Sequence, residues 1–192
     1  MISFFLPLFA YLIGAIPVGF IIARLAGIED ITQLGSGNIG ATNVARVAGK
    51  KLFLVVFLAD AAKAGLYLWL LHYLGMSSFF HYLCAVFLII GNSFSLFLGG
   101  KGGKGVATSV GILAFFNPYA LSALLIVWLL SVLKTRNVGI SSVLALFLLP
   151  IIVLAITQHI TDLFLLTLFI SWWGIWRHAE NIKHYFKIAQ AV

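Results

Sequence analysis

Charge is scarce in this chain. Lysine, arginine, aspartate and glutamate make up 9% of its 192 residues, against roughly 25% in a soluble domain. Acidic groups are the rarest, five against twelve basic ones. Cys84 is the sole cysteine and lies in an apolar run. That excludes an intramolecular disulfide and leaves a packed thiol as the default. No C-x-x-C or H-E-x-x-H occurs, so no metal site is readable. No G-x-x-x-x-G-K-[ST] occurs either: a Walker loop would need glycine at Leu98 and a hydroxyl at Gly105. The first apolar run has no basic stretch before it and so does not read as a cleaved signal peptide.

What the chain has is apolar length. Hydrophobic residues are 62% of it, in runs of near-bilayer length, the mark of an integral membrane protein. The runs are Ile2 to Arg24, Leu52 to Leu74, Phe79 to Leu98, Val106 to Phe116, Tyr119 to Leu133, Gly139 to Ile156 and Ile160 to Trp176. Asn117-Pro118 is a turn signal that divides the fourth from the fifth. Counting these as two crossings gives seven spans and puts eleven of the twelve basic residues on one side, with Lys63 inside a helix. The positive-inside rule then sets the N-terminus outside and the C-terminus in the cytoplasm. The expected architecture is an all-α integral membrane protein, a seven-span helical bundle forming a single domain over 1–192. The Val106–Phe116 helix rises only about 17 Å against a hydrocarbon core of about 30 Å, and is expected to extend back into the preceding loop or to pack where the bilayer thins. The basic residues lie in short loops, which points to anionic ligands or lipids and not to nucleic acid.

Polar chemistry is concentrated in the loops. From Gly99 to Gly105, five residues are glycine and the other two are Lys101 and Lys104. Glycine lets main-chain N–H groups approach a ligand, successive N–H groups can form an anion nest, and the following helix adds its positive end. This is chemistry for a phosphate; the bland reading is a flexible connector with lysines present for topology. Residues 25–51 form a polar interruption containing Gly35-Ser36-Gly37-Asn38-Ile39-Gly40-Ala41-Thr42-Asn43 and Arg46. Its length marks it as functional or disordered, and Ile39, Val44 and Val47 predict an ordered loop with a short re-entrant or interfacial helix. Both loops match G-x-G-x-x-G, yet neither follows a strand, which rejects a dinucleotide fold. Asp60 and Lys63 lie three apart inside the second run and so share a helix face. As intramembrane charges they are expected to face inward and pair.

Taken together, Ser36-Gly37-Asn38-Ile39-Gly40-Ala41-Thr42-Asn43, Gly99-Gly100-Lys101-Gly102-Gly103-Lys104-Gly105-Val106-Ala107-Thr108 and Arg177-His178-Ala179-Glu180-Asn181-Ile182 resemble the three motifs of the acyl-phosphate-dependent glycerol-3-phosphate acyltransferases, the PlsY family. The resemblance runs over nearly the whole chain and includes the Asp60/Lys63 pair. It implies a multi-pass enzyme of the bacterial inner membrane with its active site at the cytoplasmic face. That enzyme would use acyl phosphate and glycerol 3-phosphate as substrates, form lysophosphatidate in phospholipid biosynthesis, and need no cofactor. No histidine here is followed by H-x-x-x-x-D, the acid–base pair of the common soluble-donor glycerolipid acyltransferases.

On that reading the glycine–lysine loop, with Lys104 and the backbone of Gly102, Gly103 and Gly105, holds the donor phosphate. Arg46, with Lys101 or Lys104, holds the phosphate of glycerol 3-phosphate. Ser36, Asn38, Thr42 and Asn43 orient the glycerol hydroxyls, with Gly37 in the same turn. His178 and Asn181 line the reacting centre, and Ser142 and Glu180 complete the binding set. Three positions depart from the family pattern. Asn92 stands where histidine is usual, Gly100 where an aromatic is usual, and the tail runs to Val192 without the usual glycine and glutamate. Two other classes stay open: an anion or lysolipid transporter, and a membrane-anchored receptor for a phosphate ligand.

Overall fold

A computed structural model describes residues 2–189, so Met1, Gln190 to Val192 at the end of the tail, and the side chains of Ile2, His184, Ile188 and Ala189 lie outside the described residues. Every regular element among the described residues is helical. Ten α-helices follow in order: α1 (Leu6–Ala15), α2 (Val18–Leu25), α3 (Ala41–Ala48), α4 (Leu52–Tyr73), α5 (Ser78–Ser93), α6 (Val106–Phe116), α7 (Pro118–Thr135), α8 (Val138–Thr157), α9 (Asp162–Arg177) and α10 (Ala179–Ala189). Five helical stretches are long and apolar enough to cross a membrane: Ser3–Leu25, Leu52–Tyr73, Ser78–Leu98, Pro118–Thr135 and Val138–Thr157. Their outward faces carry large apolar side chains, among them Leu54, Leu58 and Leu66 on α4 and Phe147 and Ile151 on α8. Two compact units make up the fold, one ending at Phe115 and the other beginning at Phe116.

In the first unit α1 lies along α5. A side chain at Gly14 would run into the Leu88 carbonyl, and one at Gly91 into that of Tyr11. The two backbones touch there because both positions are glycine, the small-residue contact of membrane helices. Pro17 has no N–H and divides the first span: α1 ends at Ala15, α2 begins at Val18, and the Val18 N–H turns to Ile16 O at 3.0 Å. Lys63 caps the carbonyls at this break, its Nζ donating to Gly14 O at 2.8 Å and Ile16 O at 2.9 Å. The same ammonium pairs with Asp60 at 2.7 Å, so the two intramembrane charges do face inward and meet.

Residues 25–51 fold as expected, into a 3₁₀ turn at Ile31–Gln33 and the short helix α3. Ala23, Ile31, Ile39, Ala41, Val44 and Val56 form a buried cluster that fixes them on α2 and α4. In contrast, α6 does not extend back into the glycine loop. It begins at Val106, after Gly105 at φ +82°, a conformation that ends any right-handed helix on its N-terminal side.

In the second unit α8 packs against α7 and α9. Its helices start on side-chain caps: Asn117 Oδ1 accepts from Ala120 N at 2.9 Å with Pro118 next in line, Asn137 Oδ1 from Ile140 N at 3.1 Å, and Thr161 Oγ1 from Phe164 N at 3.2 Å. Asn117-Pro118 is thus an N-cap followed by proline in the first turn, where its missing N–H costs nothing. Ser171 on α9 donates to Leu146 O on α8 at 2.6 Å.

Candidate functional site

Asn43, on the first turn of α3, organises the first polar loop. It is 2% exposed. Its Nδ2 donates to Leu34 O at 2.9 Å and Asn38 O at 2.8 Å, and its Oδ1 accepts from Ser36 N at 2.9 Å and Arg46 Nη1 at 3.3 Å. A carboxamide has two N–H donors and two lone pairs, and all four are taken. Asn43 is thereby a scaffold for the loop that carries Ser36, Asn38 and Arg46. Around it Ser36, Thr42 and Arg46 are exposed, and Arg46 and the Ser36 main chain meet on one oxygen. Gly37 turns the chain at φ +69°, its N–H on Leu34 O at 3.0 Å. Asn38 closes its own turn by accepting from Gly40 N at 2.8 Å, and its Nδ2 crosses to Gly102 O at 3.1 Å. That bond joins the two polar loops.

The glycine–lysine loop is packed against the end of α5. Gly102 and Gly103 are buried. A Cβ on Gly102 would strike the main chain of Asn92 and Ser93, and one on Gly103 would come 2.8 Å from Asn92 Oδ1. Most of the loop's N–H groups are spent on the protein itself. Gly99 donates to Leu96 O, Gly100 to Ser95 O, Lys101 to Leu98 O, Gly103 to Asn92 O at 2.8 Å and Gly105 to Asn92 Oδ1 at 3.2 Å. The glycines let this backbone pack against the end of α5. Lys104 is half-buried and Lys101 exposed. Lys101 Nζ lies 3.4 Å from Thr32 Oγ1, whose hydroxyl donates to Asp30 Oδ1 at 2.7 Å. The Thr32 hydroxyl first, then the Thr32 N–H, with smaller help from Gln33 and the Lys101 charge, holds the Asp30 carboxyl below its ordinary value.

The second unit holds the third motif. His178 caps α9 and is 4% exposed. Its Nδ1 lies 2.7 Å from Gly174 O. A carbonyl only accepts, so Nδ1 carries the proton and Nε2 is the basic nitrogen. Asn181, on the first turn of α10, lies over α8 where Gly139 leaves room: a Cβ there would be 2.6 Å from Asn181 Nδ2. Glu180 is exposed and forms a 3.5 Å pair with Lys183, a weak surface contact. Ser142 is 5% exposed, and its hydroxyl donates to Val138 O at 2.9 Å and accepts from Trp128 Nε1 at 3.2 Å, which ties α7 to α8. Among the described residues no group of three or more His, Cys, Asp or Glu is placed to hold a metal. Two contributors escaped the sequence reading, Thr32 and Gly139; Asn92 left a signal there, as a polar residue late in an apolar run.

A helical protein with long lipid-length spans and two cation-bearing loops tied to each other is, by class, an integral membrane protein with a polar site on its loops. Known proteins agree. The family described as glycerol-3-phosphate acyltransferase matches residues 4–188. Glycerol-3-phosphate acyltransferases of Syntrophotalea carbinolica and of a Synechococcus species are 43% and 44% identical, covering 95% and 90% of this chain and 94% and 86% of their own. The crystal structure of PlsY (YgiH), an integral membrane glycerol 3-phosphate acyltransferase in its glycerol 3-phosphate form, superposes with a TM-score of 0.89 at 34% identity over 97% of this chain and 93% of that one. Its lysophosphatidic acid form gives 0.87 at 33%. This chain belongs to the glycerol-3-phosphate acyltransferase family.

Proposed function

We propose that this protein transfers a fatty acyl group from acyl phosphate to the 1-hydroxyl of glycerol 3-phosphate, giving lysophosphatidate and phosphate in bacterial phospholipid synthesis. The observation that carries the reading is the Asn38–Gly102 bond, which binds the Ser36/Arg46 loop to the Lys101/Lys104 loop so that three cations serve one polar surface. The related crystal structures in glycerol 3-phosphate and lysophosphatidic acid forms support the acceptor and the product. The acyl-phosphate donor rests on the resemblance of the three motifs.

In this mechanism the Arg46 guanidinium, of which only Nη1 is engaged among the described residues, takes the glycerol 3-phosphate phosphate as a bidentate fork. Ser36 and Thr42 meet the glycerol hydroxyls. Lys104, with Lys101 at the rim, neutralises the donor phosphate, which makes it a better leaving group. The 1-hydroxyl oxygen attacks the acyl carbonyl carbon, the bond from that carbon to the phosphate oxygen breaks, and no acyl-enzyme forms. By the motif resemblance, the hydroxyl proton goes to a substrate phosphate oxygen or to His178, and Asn181 lines the reacting centre. The parts of this assignment in the third motif, Glu180 included, rest on the motif resemblance.

Seven spans, with the N-terminus outside and both polar loops and the tail in the cytoplasm, follow from the eleven basic residues that this threading puts on one side. It requires α6 and α9, of 11 and 16 residues, to cross as short helices. Labelling of Ser36→Cys or Glu180→Cys from outside intact cells would contradict it. The function is tested by phosphate release from the purified protein in detergent: release that needs acyl phosphate and glycerol 3-phosphate together supports transfer. A transporter or a receptor would release none.

A further inference from the structure

One side chain stands between the buried ion pair of α4 and the glycine–lysine loop. Asn92, near the end of α5, is 6% exposed. Its Nδ2 donates to Asp60 Oδ1 at 3.3 Å and its Oδ1 accepts from Gly105 N at 3.2 Å. The amide cannot be reversed, because a carboxylate only accepts and an N–H only donates. The main-chain oxygen of the same residue accepts from Gly103 N at 2.8 Å. Gly103 and Gly105 are the two neighbours of Lys104. One residue thus grips the backbone on both sides of the lysine.

The grip has its own anchorage. Asp60 is held by Lys63 at 2.7 Å, and Lys63 by the Gly14 and Ile16 carbonyls that the Pro17 break leaves without helical donors. A polar chain therefore runs from α1 through α4 and α5 to the loop. Glycine-rich backbone has no side chains with which to fix itself, so its position must be imposed from outside, here through hydrogen bonds to Asn92.

We propose that Asn92 is a positioning residue: it clamps the backbone on both sides of Lys104 and hangs that clamp on the Asp60–Lys63 pair, so that the lysine is presented at one place. This rests on the reading that Lys104 acts on a substrate phosphate. Small displacements of such a group are costly, about a hundredfold for roughly 1 Å. A purely structural Asn92 would instead lower the amount of folded protein, whatever residue occupied position 104.

The test is a double-mutant cycle on the full chain in detergent, with melting temperature recorded for each protein. Lys104→Ala tests the underlying reading, which fails, and the proposal with it, if kcat stays within about twofold of wild type. With that loss established, Asn92→Ala should lower kcat at least about tenfold with both KM values within about threefold, yet lower it by less than about twofold in the Lys104→Ala background. Equal loss in both backgrounds, or no loss in the first, overturns the clamp while leaving Lys104 as it was. Where Asn92→Ala does not fold or the Lys104→Ala background is too slow to read, Asn92→His and Asn92→Leu decide. Histidine supplies one N–H and one lone pair and should hold kcat within about threefold, while leucine, of similar size and without either, should lose at least about tenfold at a comparable melting temperature. Equal activity in these two variants overturns the proposal.

Discussion

Replacing Asn43 by alanine separates a scaffold from a ligand. In the structure the side chain is buried and is the partner of the Ser36 N–H, the Leu34 carbonyl and the Asn38 carbonyl. Each such bond contributes about 1 kcal/mol net, so losing three costs the loop about 3 kcal/mol. At 1.4 kcal/mol per decade that is on the order of a hundredfold in the opening equilibrium. Amide hydrogen exchange followed by mass spectrometry on the protein without substrate reads this directly, since local opening governs exchange. Asn43→Ala should speed exchange over residues 34–40 by about that factor, leave the α8 and α9 amides unchanged, and raise the KM for glycerol 3-phosphate as Arg46 and Ser36 lose their common support. If exchange over residues 34–40 stays within about threefold of wild type while activity collapses, Asn43 acts on the substrate itself and the reasoning is wrong.

Two further outcomes follow from individual contacts. Ser142→Ala removes the hydroxyl that links Trp128 to Val138 and should cost about 1–2 kcal/mol of stability; glycerol 3-phosphate kinetics should stay within about twofold, and a large rise in KM at unchanged stability would mark Ser142 as a ligand. Asp30→Asn tests the turn beneath Lys101. The folded carboxyl is held below its unfolded value, so its contribution is present above the unfolded pKa of about 3.9 and disappears as pH falls through the folded value. The melting temperature of Asp30→Asn should accordingly lie below wild type at about pH 7 and converge with it as pH falls through the folded value, and a difference that persists in acid would show that the carboxylate charge is not its source.

Much of the fold could be read from the residues because its signals are local. Each apolar run carries helix, Asn117-Pro118 marks the junction of α6 and α7, and the Asp60–Lys63 spacing announces an inward pair. The polar loops were legible as places and less so as arrangements. Side-chain type says that Asn38, Asn43 and Ser142 seek hydrogen bonds but not with whom. Asn38 spans 64 residues to Gly102 and Asn92 spans 32 to Asp60. Asn43 and Ser142 turn inward because buried carbonyls and an indole N–H need partners. In the glycine–lysine loop, glycine permits both close approach to an anion and close approach to another helix; the N–H groups of Gly103 and Gly105 bond to Asn92 on α5, and those of Gly99, Gly100 and Lys101 to carbonyls of residues 95–98. The start of α6 falls where its apolar run begins, at Val106 after the left-handed Gly105, and the backward extension expected from its shortness does not occur.

Donor identity is the most direct test of the whole account. Purified protein in detergent is given glycerol 3-phosphate with one acyl donor at a time, acyl phosphate, acyl-CoA or acyl carrier protein, and lysophosphatidate and phosphate are measured together. Acyl phosphate alone should give product, with one phosphate released per lysophosphatidate. Lysophosphatidate formed from either thioester, or none formed from acyl phosphate, would contradict it.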